Sequence, residues 1–321
     1  MKFLILIIYL SQIFSYYDVE KHKEMVTFIN KLRTTWKAKL YERDIIPLLG
    51  AFKETEETKL KERKYFYASS SYLPDFLDLR KEYPKCDSIK EIYDQSSCGS
   101  CWALAATGTM TDRLCIHTGG KIQTRLSATE IITCCDSCGS GCLGGYPSLV
   151  FQYWKNNGIP SGGPFGDKKT CKPYFLPPGK DDTAQFGEKQ VTPDCENKCQ
   201  EGYNKSLEED KFYASEVYYV SGEENIMKEI YENGPVESTL IVYDDLVDYD
   251  SGVYQHVTGS FVGGHAVKII GWGIITSDGV KYWIVANSWN DTWGEKGFFR
   301  ILKGENECGI EEYAVTGMPK I

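Results

Sequence analysis

Cys98-Gly99-Ser100-Cys101-Trp102 is where this chain carries its chemistry. Small turn-forming residues run straight into Trp102-Ala103-Leu104-Ala105-Ala106, which reads as the opening of a helix. Ser100 is the candidate N-cap, and that puts Cys101 in the first turn. Unpaired backbone N–H groups and the positive end of the macrodipole both favour thiolate over thiol there. The thiolate is the attacking species, so Cys101 is the candidate nucleophile and Cys98 fits a disulfide. A nucleophilic thiol also needs a base. The chain holds four histidines, His22, His117, His256 and His265. His117 ends the helix that Cys101 begins, roughly 24 Å away at 1.5 Å per residue, and is too far to share a proton. His256 follows Gly252-Val253-Tyr254-Gln255 and fits a packed strand end. His265 stands in Gly263-Gly264-His265-Ala266-Val267, where glycines leave room for another backbone and a strand fixes the ring.

The imidazole needs an orienting partner, and Ala286-Asn287-Ser288-Trp289 offers one at the end of a strand. Gln95, six residues before the nucleophile, carries an amide N–H that could join the Cys101 backbone N–H in binding an oxyanion. Together these residues resemble the papain-like cysteine peptidases, whose C-G-[SA]-C-[WY] signature is matched residue for residue. The resemblance implies catalytic roles for Cys101, His265, Asn287 and Gln95, with Trp289 covering the His–Asn bond from water. It also implies a thiolate–imidazolium pair, the thiol depressed to about 3–4 as in papain. Substrate would lie along Gly99, Gly144, Gly145 and Gly264, with Tyr313 at the base of the pocket for the second residue upstream of the cut.

Further landmarks narrow the resemblance to the cathepsin B branch: Asp112-Arg113-Leu114-Cys115-Ile116-His117, Cys142-Leu143-Gly144-Gly145-Tyr146-Pro147 and Gly252-Val253-Tyr254-Gln255-His256-Val257-Thr258-Gly259. That branch implies the bridges Cys86–Cys115, Cys98–Cys142, Cys134–Cys195, Cys135–Cys138 and Cys171–Cys199, with Cys308 left over. Parity agrees on the last point: of twelve cysteines, reserving Cys101 leaves an odd number. A zinc site at Cys134, Cys135, Cys138 and Cys142 is the rival reading, but no histidine lies among them. The branch closes one end of its cleft with a bridged loop bearing two histidines that bind a substrate's C-terminal carboxylate. Here the equivalent run is Pro177-Pro178-Gly179-Lys180-Asp181-Asp182, and no histidine lies between His117 and His256.

The elements that must position these residues can also be read. Residues 1–15 carry one lysine and an apolar run too short to span a bilayer, as in a signal peptide for the secretory pathway. Such a route leads to a lysosome-like acidic vesicle or outside the cell, where disulfides are available. Residues 16–72 form a leader with Met25, Phe28, Ile29, Leu32 and Trp36 at helical spacing over Val19 to Lys39. A charged run from Lys53 to Lys64 has no core of its own and needs another surface to fold upon. By resemblance this is a propeptide that crosses the cleft in the unproductive direction, with Leu49-Gly50-Ala51-Phe52 near the nucleophile. The leader carries 12 Lys+Arg against 9 Asp+Glu, and residues 73–321 carry 23 against 36. A basic leader should therefore hold to its acidic body by charge, and so acidic a body is no nucleic-acid binder.

Within residues 73–321, helices are expected from Cys101 to about Ile116, Pro147 to Asn157 and Glu223 to Asn233. Strands are expected over Phe212–Val220, Val236–Val242, Ala266–Gly271, Tyr282–Ala286 and Phe298–Leu302. Residues 161–203 read as surface loops pinned by bridges. The order suggests an α+β, papain-like two-lobe fold: a helical left lobe, mainly 85–160, and a β-rich, barrel-like right lobe, mainly 205–321, with the cleft between. The function expected is thiol-dependent endopeptidase activity in a monomer made as a zymogen, without cofactor, metal or membrane span. Its partners would be polypeptide substrates, its own propeptide and cystatin-type inhibitors. The alternative is a catalytically inactive homologue that binds peptides or serves structurally; a disulfide-rich binding module leaves Gln95 and Asn287 unexplained.

Overall fold

The structure, a computed structural model, describes residues 18–65, 73–179 and 189–321. The expected signal segment, the run Lys180-Asp181-Asp182 and the leader's final residues 66–72 lie outside the described residues.

One helix, Cys101–His117, runs through the centre, and every residue from Cys101 to Cys115 is buried. Its sequence suits that position: Ala103, Ala105, Ala106 and Gly108 let neighbours approach closely. The hydroxyls of Thr107 and Thr111 satisfy themselves on carbonyls one turn back. Around it pack Ala128–Cys134 and Pro147–Asn157, the latter opened by a proline at its first position and stopped at Gly158, φ +72°. These helices share a core with Met110, Leu126, Phe151 and Trp154.

A nine-stranded sheet forms the second body. Its order is Trp36–Ala38, Tyr249–Tyr254, Phe298–Leu302, Lys281–Ala286, Phe261–Ile274, Val236–Tyr243, Ala314–Pro319 and Ala214–Val220, with Leu77–Asp78 added against Phe261–Ile274. All pairings are antiparallel except Tyr249–Tyr254 with Phe298–Leu302. A larger core fills it, including Trp272, Trp283, Trp289 and Trp293. Cys101, Ala105 and Ala266 form a small buried cluster of their own, separate from both cores. The nucleophile therefore sits at the seam between the lobes.

Two expectations need correcting. The leader helix spans Val19–Lys31, not Val19 to Lys39, because Trp36–Ala38 leaves the helical register to pair with the sheet edge at Tyr249–Gly252. Asn30 fastens the turn by bonding both backbone groups of Ala38. Ser100 makes no side-chain cap on its helix. Its hydroxyl instead lies 2.8 Å from the Tyr174 hydroxyl, a longer-range bond that displaces the local one.

All five expected bridges form, and Cys101 and Cys308 remain as thiols. The bridged cysteines are thereby removed from any zinc site. Among the described residues no helix is long and apolar enough to cross a membrane.

Candidate active site

His265 enters the site from the strand Phe261–Ile274, at the point where that strand becomes buried. Antiparallel pairing sets Lys268 opposite Ala286, so the next residue, Asn287, emerges at the end of its strand beside the histidine. Asn287 Oδ1 lies 2.7 Å from His265 Nε2 and also accepts from the Ser288 backbone N–H at 2.8 Å. The second bond settles which way the amide faces, so Nε2 must carry the proton that it donates. Nδ1 is left as the nitrogen with a lone pair, buried and without a hydrogen-bond partner. Cys101 packs against Ala266, the neighbour of His265. Trp289 lies 4.7 Å from the imidazole, centroid to centroid, and is fully buried, as the expected cover would be.

Gln95 is fully buried beside the start of the central helix. Its Oε1 accepts from the Ser288 hydroxyl at 2.8 Å, and this turns Nε2 toward the cleft. There Nε2 donates to the Cys98 carbonyl at 2.8 Å and to the Leu48 carbonyl, from the leader, at 2.7 Å. A leader carbonyl thus occupies a donor that an oxyanion would use.

The leader continues through the cleft with an isolated bridge from Ala51 to Gly145. The Gly145 N–H donates to the Gly50 carbonyl at 2.9 Å, the Phe52 N–H to the Gly145 carbonyl at 2.9 Å, and the Ala51 N–H to the Gly264 carbonyl at 3.2 Å. Phe52 packs edge-on against Tyr146 and close above Gly144. Gly50 lies so close to the Gly99 carbonyl that any Cβ there would overlap its oxygen. Gly99, Gly144, Gly145 and Gly264, named from sequence as the substrate floor, therefore all face the leader. Beyond them Tyr313 closes a cavity of about 440 Å³ whose lining includes Phe52, Glu54, Leu240 and Glu312. The Tyr313 hydroxyl accepts from the Leu60 N–H at 2.8 Å and pairs with Ser148 at 2.9 Å.

The covering leader also sets the electrostatics of the site. Cys101 and His265 are both buried, and burial pushes the thiol up to about 11 and the imidazole down to about 4. Both charged forms are disfavoured, so the covered site holds a neutral thiol and a neutral imidazole rather than an ion pair. Backbone N–H groups of Ala266, Gly50 and Trp102 already act on the sulfur here and are outweighed by burial; the depressed thiol is an expectation for the uncovered cleft.

The other histidines have structural partners. His256 Nδ1 meets Asp245 at 3.1 Å while its ring stacks on Tyr243, and His117 Nε2 meets the Asn233 carbonyl at 3.0 Å. His22, from the leader, pairs with buried Asp248.

Several residues of the site had no signal in the sequence. Ser288, Tyr174 and Leu48 all act on Gln95, which they approach from 193, 79 and 47 positions away. Arg43 of the leader donates to the Trp289 carbonyl. Glu237, opposite Lys268 in the sheet, has both carboxyl oxygens buried without partners, because Lys268 turns to Asp112. Burial, with Glu54 nearby, raises the Glu237 pKa well above the carboxylate range, so it stands as a neutral acid.

A family model described as papain family cysteine protease matches residues 73–318. A cathepsin B-like cysteine proteinase of Schistosoma japonicum is 43% identical over 311 residues, covering 92% of this chain and 90% of that one. Cathepsin B-like cysteine proteinase 6 of Caenorhabditis elegans is 48% identical over 257 residues, covering 78% and 67%. Among solved structures, procathepsin B from Trypanosoma congolense superposes with a TM-score of 0.80 at 35% identity, over 93% of this chain and 98% of that one. A procathepsin L2 from Tenebrio molitor, at 22% identity and a TM-score of 0.66, shares the fold over 93% and 89%.

Proposed function

This chain belongs to the papain family of cysteine proteases, in its cathepsin B-like branch, and we propose that it is an endopeptidase made as a secreted or vesicular zymogen. Residues 1–15 would be the signal segment, 16–72 the inhibitory propeptide and 73–321 the peptidase. The observation that carries this reading is the joint arrangement of Cys101, His265 bonded through Nε2 to Asn287, and Gln95, all beneath leader residues 48–52. When the leader leaves, His265 Nδ1 takes the Cys101 proton and the thiolate attacks the peptide carbonyl carbon. The oxyanion then takes the place of the Leu48 carbonyl, held by Gln95 Nε2 and the Cys101 N–H. His265 returns the proton to the departing amine, and water releases the acyl-enzyme by the same relay. An inactive homologue would have lost one of these four groups, and none is lost.

Carboxydipeptidase activity should be weak. The loop that would bind a substrate's terminal carboxylate carries Asp181 and Asp182 where histidines would be needed, and carboxylates repel a carboxylate. Tyr313, in place of an acid, favours an apolar or aromatic residue in the adjoining pocket; a peptide library with arginine preferred there would reverse that assignment. The central test compares matched peptides with free and amidated C-termini after acid processing, with Cys101→Ser as control. Internal cleavage without preference for the free acid is expected, and the serine variant should be nearly inactive. Dipeptides released in sequence from free-acid peptides alone, or turnover retained in the serine variant, would refute it.

A further inference from the structure

We propose that Lys189 sets the specificity of the subsite beside Cys101, so that the peptidase selects an acidic side chain on the residue whose carbonyl it attacks. This rests on the peptidase reading above and deepens it to a substrate class.

Geometry locates the subsite. The sulfur must meet the carbonyl carbon while the oxygen lies toward Gln95 Nε2. The Cα of that same residue is one bond from the carbonyl, so its side chain departs over the wall next to the nucleophile. That wall is Gly99, two positions before Cys101. The leader marks the space from the other side. Leu48 gives its carbonyl to Gln95, Gly50 rests on the Gly99 carbonyl, and the Leu49 oxygen lies 3.1 Å from where a Gly99 Cβ would stand.

That same vacant Cβ position is 3.0 Å from Lys189 Nζ. An ammonium therefore stands at the wall over which the side chain must pass. Its backbone is fixed close by. The Gln190 N–H donates to the Ser97 carbonyl at 2.9 Å. Two residues on, the Thr192 hydroxyl accepts from the Cys142 N–H at 2.9 Å, and its methyl carbon would lie 2.5 Å from any Cβ at Gly141. Ser97 precedes one cysteine of the Cys98–Cys142 bridge and Cys142 is the other, so Lys189 is anchored to the floor of the cleft itself.

Lys189 is half-buried, and no carboxylate among the described residues pairs with it. Burial lowers its pKa, with an ionised Cys101 pushing the other way. A partly desolvated cation without a partner favours an anion brought to it and opposes a second cation. Glutamate or aspartate leaving over Gly99 supplies that anion, whereas lysine or arginine meets like charge.

The test uses processed enzyme and three fluorogenic peptides that differ only at this residue: Glu, Gln or Lys. For the wild type, kcat/KM should be about 10-fold higher for Glu than for Gln, and Lys should fall at least as far below. The preference should shrink at 1 M salt, as a partly exposed charge requires. Lys189→Glu should reverse the order, and Lys189→Met should erase it. The fold of both variants is certified separately, by thermal unfolding and by titration of Cys101 with an irreversible thiol-directed inhibitor. Equal wild-type rates on the Glu and Lys peptides, or an order unchanged in Lys189→Glu, would overturn the proposal alone. Absence of thiol-dependent cleavage of all three peptides would overturn it together with the peptidase reading.

Discussion

Replacing Gly50 by alanine should release the leader from the cleft. The new methyl would overlap the Gly99 carbonyl oxygen and stand 2.7 Å from its carbonyl carbon. Neither atom can retreat easily, since the Gly99 N–H is bonded to the Cys142 carbonyl and the neighbouring cysteine is bridged to Cys142. The leader must move instead. Lifting it strains three bonds, from Gly145 N–H to Gly50, Phe52 N–H to Gly145 and Ala51 N–H to Gly264. Overpacking of this kind costs about 1–3 kcal/mol, and one lost hydrogen bond adds about 1 kcal/mol. A total of about 2–4 kcal/mol raises the inhibition constant roughly 30- to 800-fold. The assay is inhibition of processed enzyme by synthetic 16–72 segments at one pH, wild type against Gly50→Ala. Exposed Glu57→Ala serves as the control and should leave the constant unchanged. A Gly50→Ala constant within twofold of wild type would refute the threading over Gly99.

Alkylation of Cys101 by iodoacetamide should track its covered state. With the thiol near 11, roughly one in 10³ to 10⁴ molecules is thiolate between pH 7 and 8, so zymogen labelling should climb toward pH 10. Processed enzyme should instead label on a plateau reaching into mild acid, and the same plateau in the zymogen would contradict the neutral pair. Gln95→Ala should lower kcat roughly 10²- to 10³-fold in stopped-time assays, and should weaken the leader as well, since Leu48 loses its donor; intact inhibition would separate the two roles. Arg113→Met breaks a fully buried pair with Glu229 and should cost about 3–5 kcal/mol in urea unfolding of the zymogen. Burial raises the Glu229 pKa, but Arg113 with the Tyr65 and Tyr218 hydroxyls carries it below 4.5. Its contribution is thus complete above 4.5 and disappears as pH falls through the lowered value. In Arg113→Met the raising effect of burial loses its main opponent, so the variant's Glu229 takes up its proton at a higher pH. The penalty should be largest at alkaline pH and shrink as pH falls toward 4.5, and a penalty that grew on acidification over that range would contradict the sign.

Much of the site was legible because its chemistry is tied to local runs of residues. Cys101 could be placed at a helix start from the small residues before it, and His265 from the glycines around it. The helices Pro147–Asn157 and Glu223–Asn233 were bounded by their glycine stops. What failed depended on partners distant in sequence. Trp36 sits at helical spacing, but the strand Tyr249–Tyr254 recruits it. Ser100 is a good cap by type, but Tyr174 claims its hydroxyl. Among the strands without an expected counterpart, Tyr249–Tyr254 and Ala314–Pro319 are the longest: aspartate, serine and glycine break the first pattern and glycine and proline the second. Lys189 lay in a stretch that reads as a solvated loop, and only its anchors on Ser97 and Cys142 carry it to the cleft.

The pairing of Trp36–Ala38 with Tyr249–Gly252 bears on the enzyme's behaviour as a colloid. Those three leader residues form the last strand on that side of the sheet. Once the leader is cut away, the backbone of Tyr249–Ser251 becomes a raw edge, ready to template another chain. Loss of Trp36, whose ring stacks on Tyr249 and tilts against Tyr254 at 6.0 and 5.1 Å, opens an apolar notch in that edge. Asp248, whose pKa burial raises, is one carboxylate left beside it, and acid neutralises that charge. Removal of the leader would therefore exchange a sealed sheet for an adhesive one, most of all at acidic pH. Light scattering of processed enzyme should rise as pH falls toward 4 while that of Cys101→Ser zymogen stays flat, and equal traces would show that the edge is protected by other means.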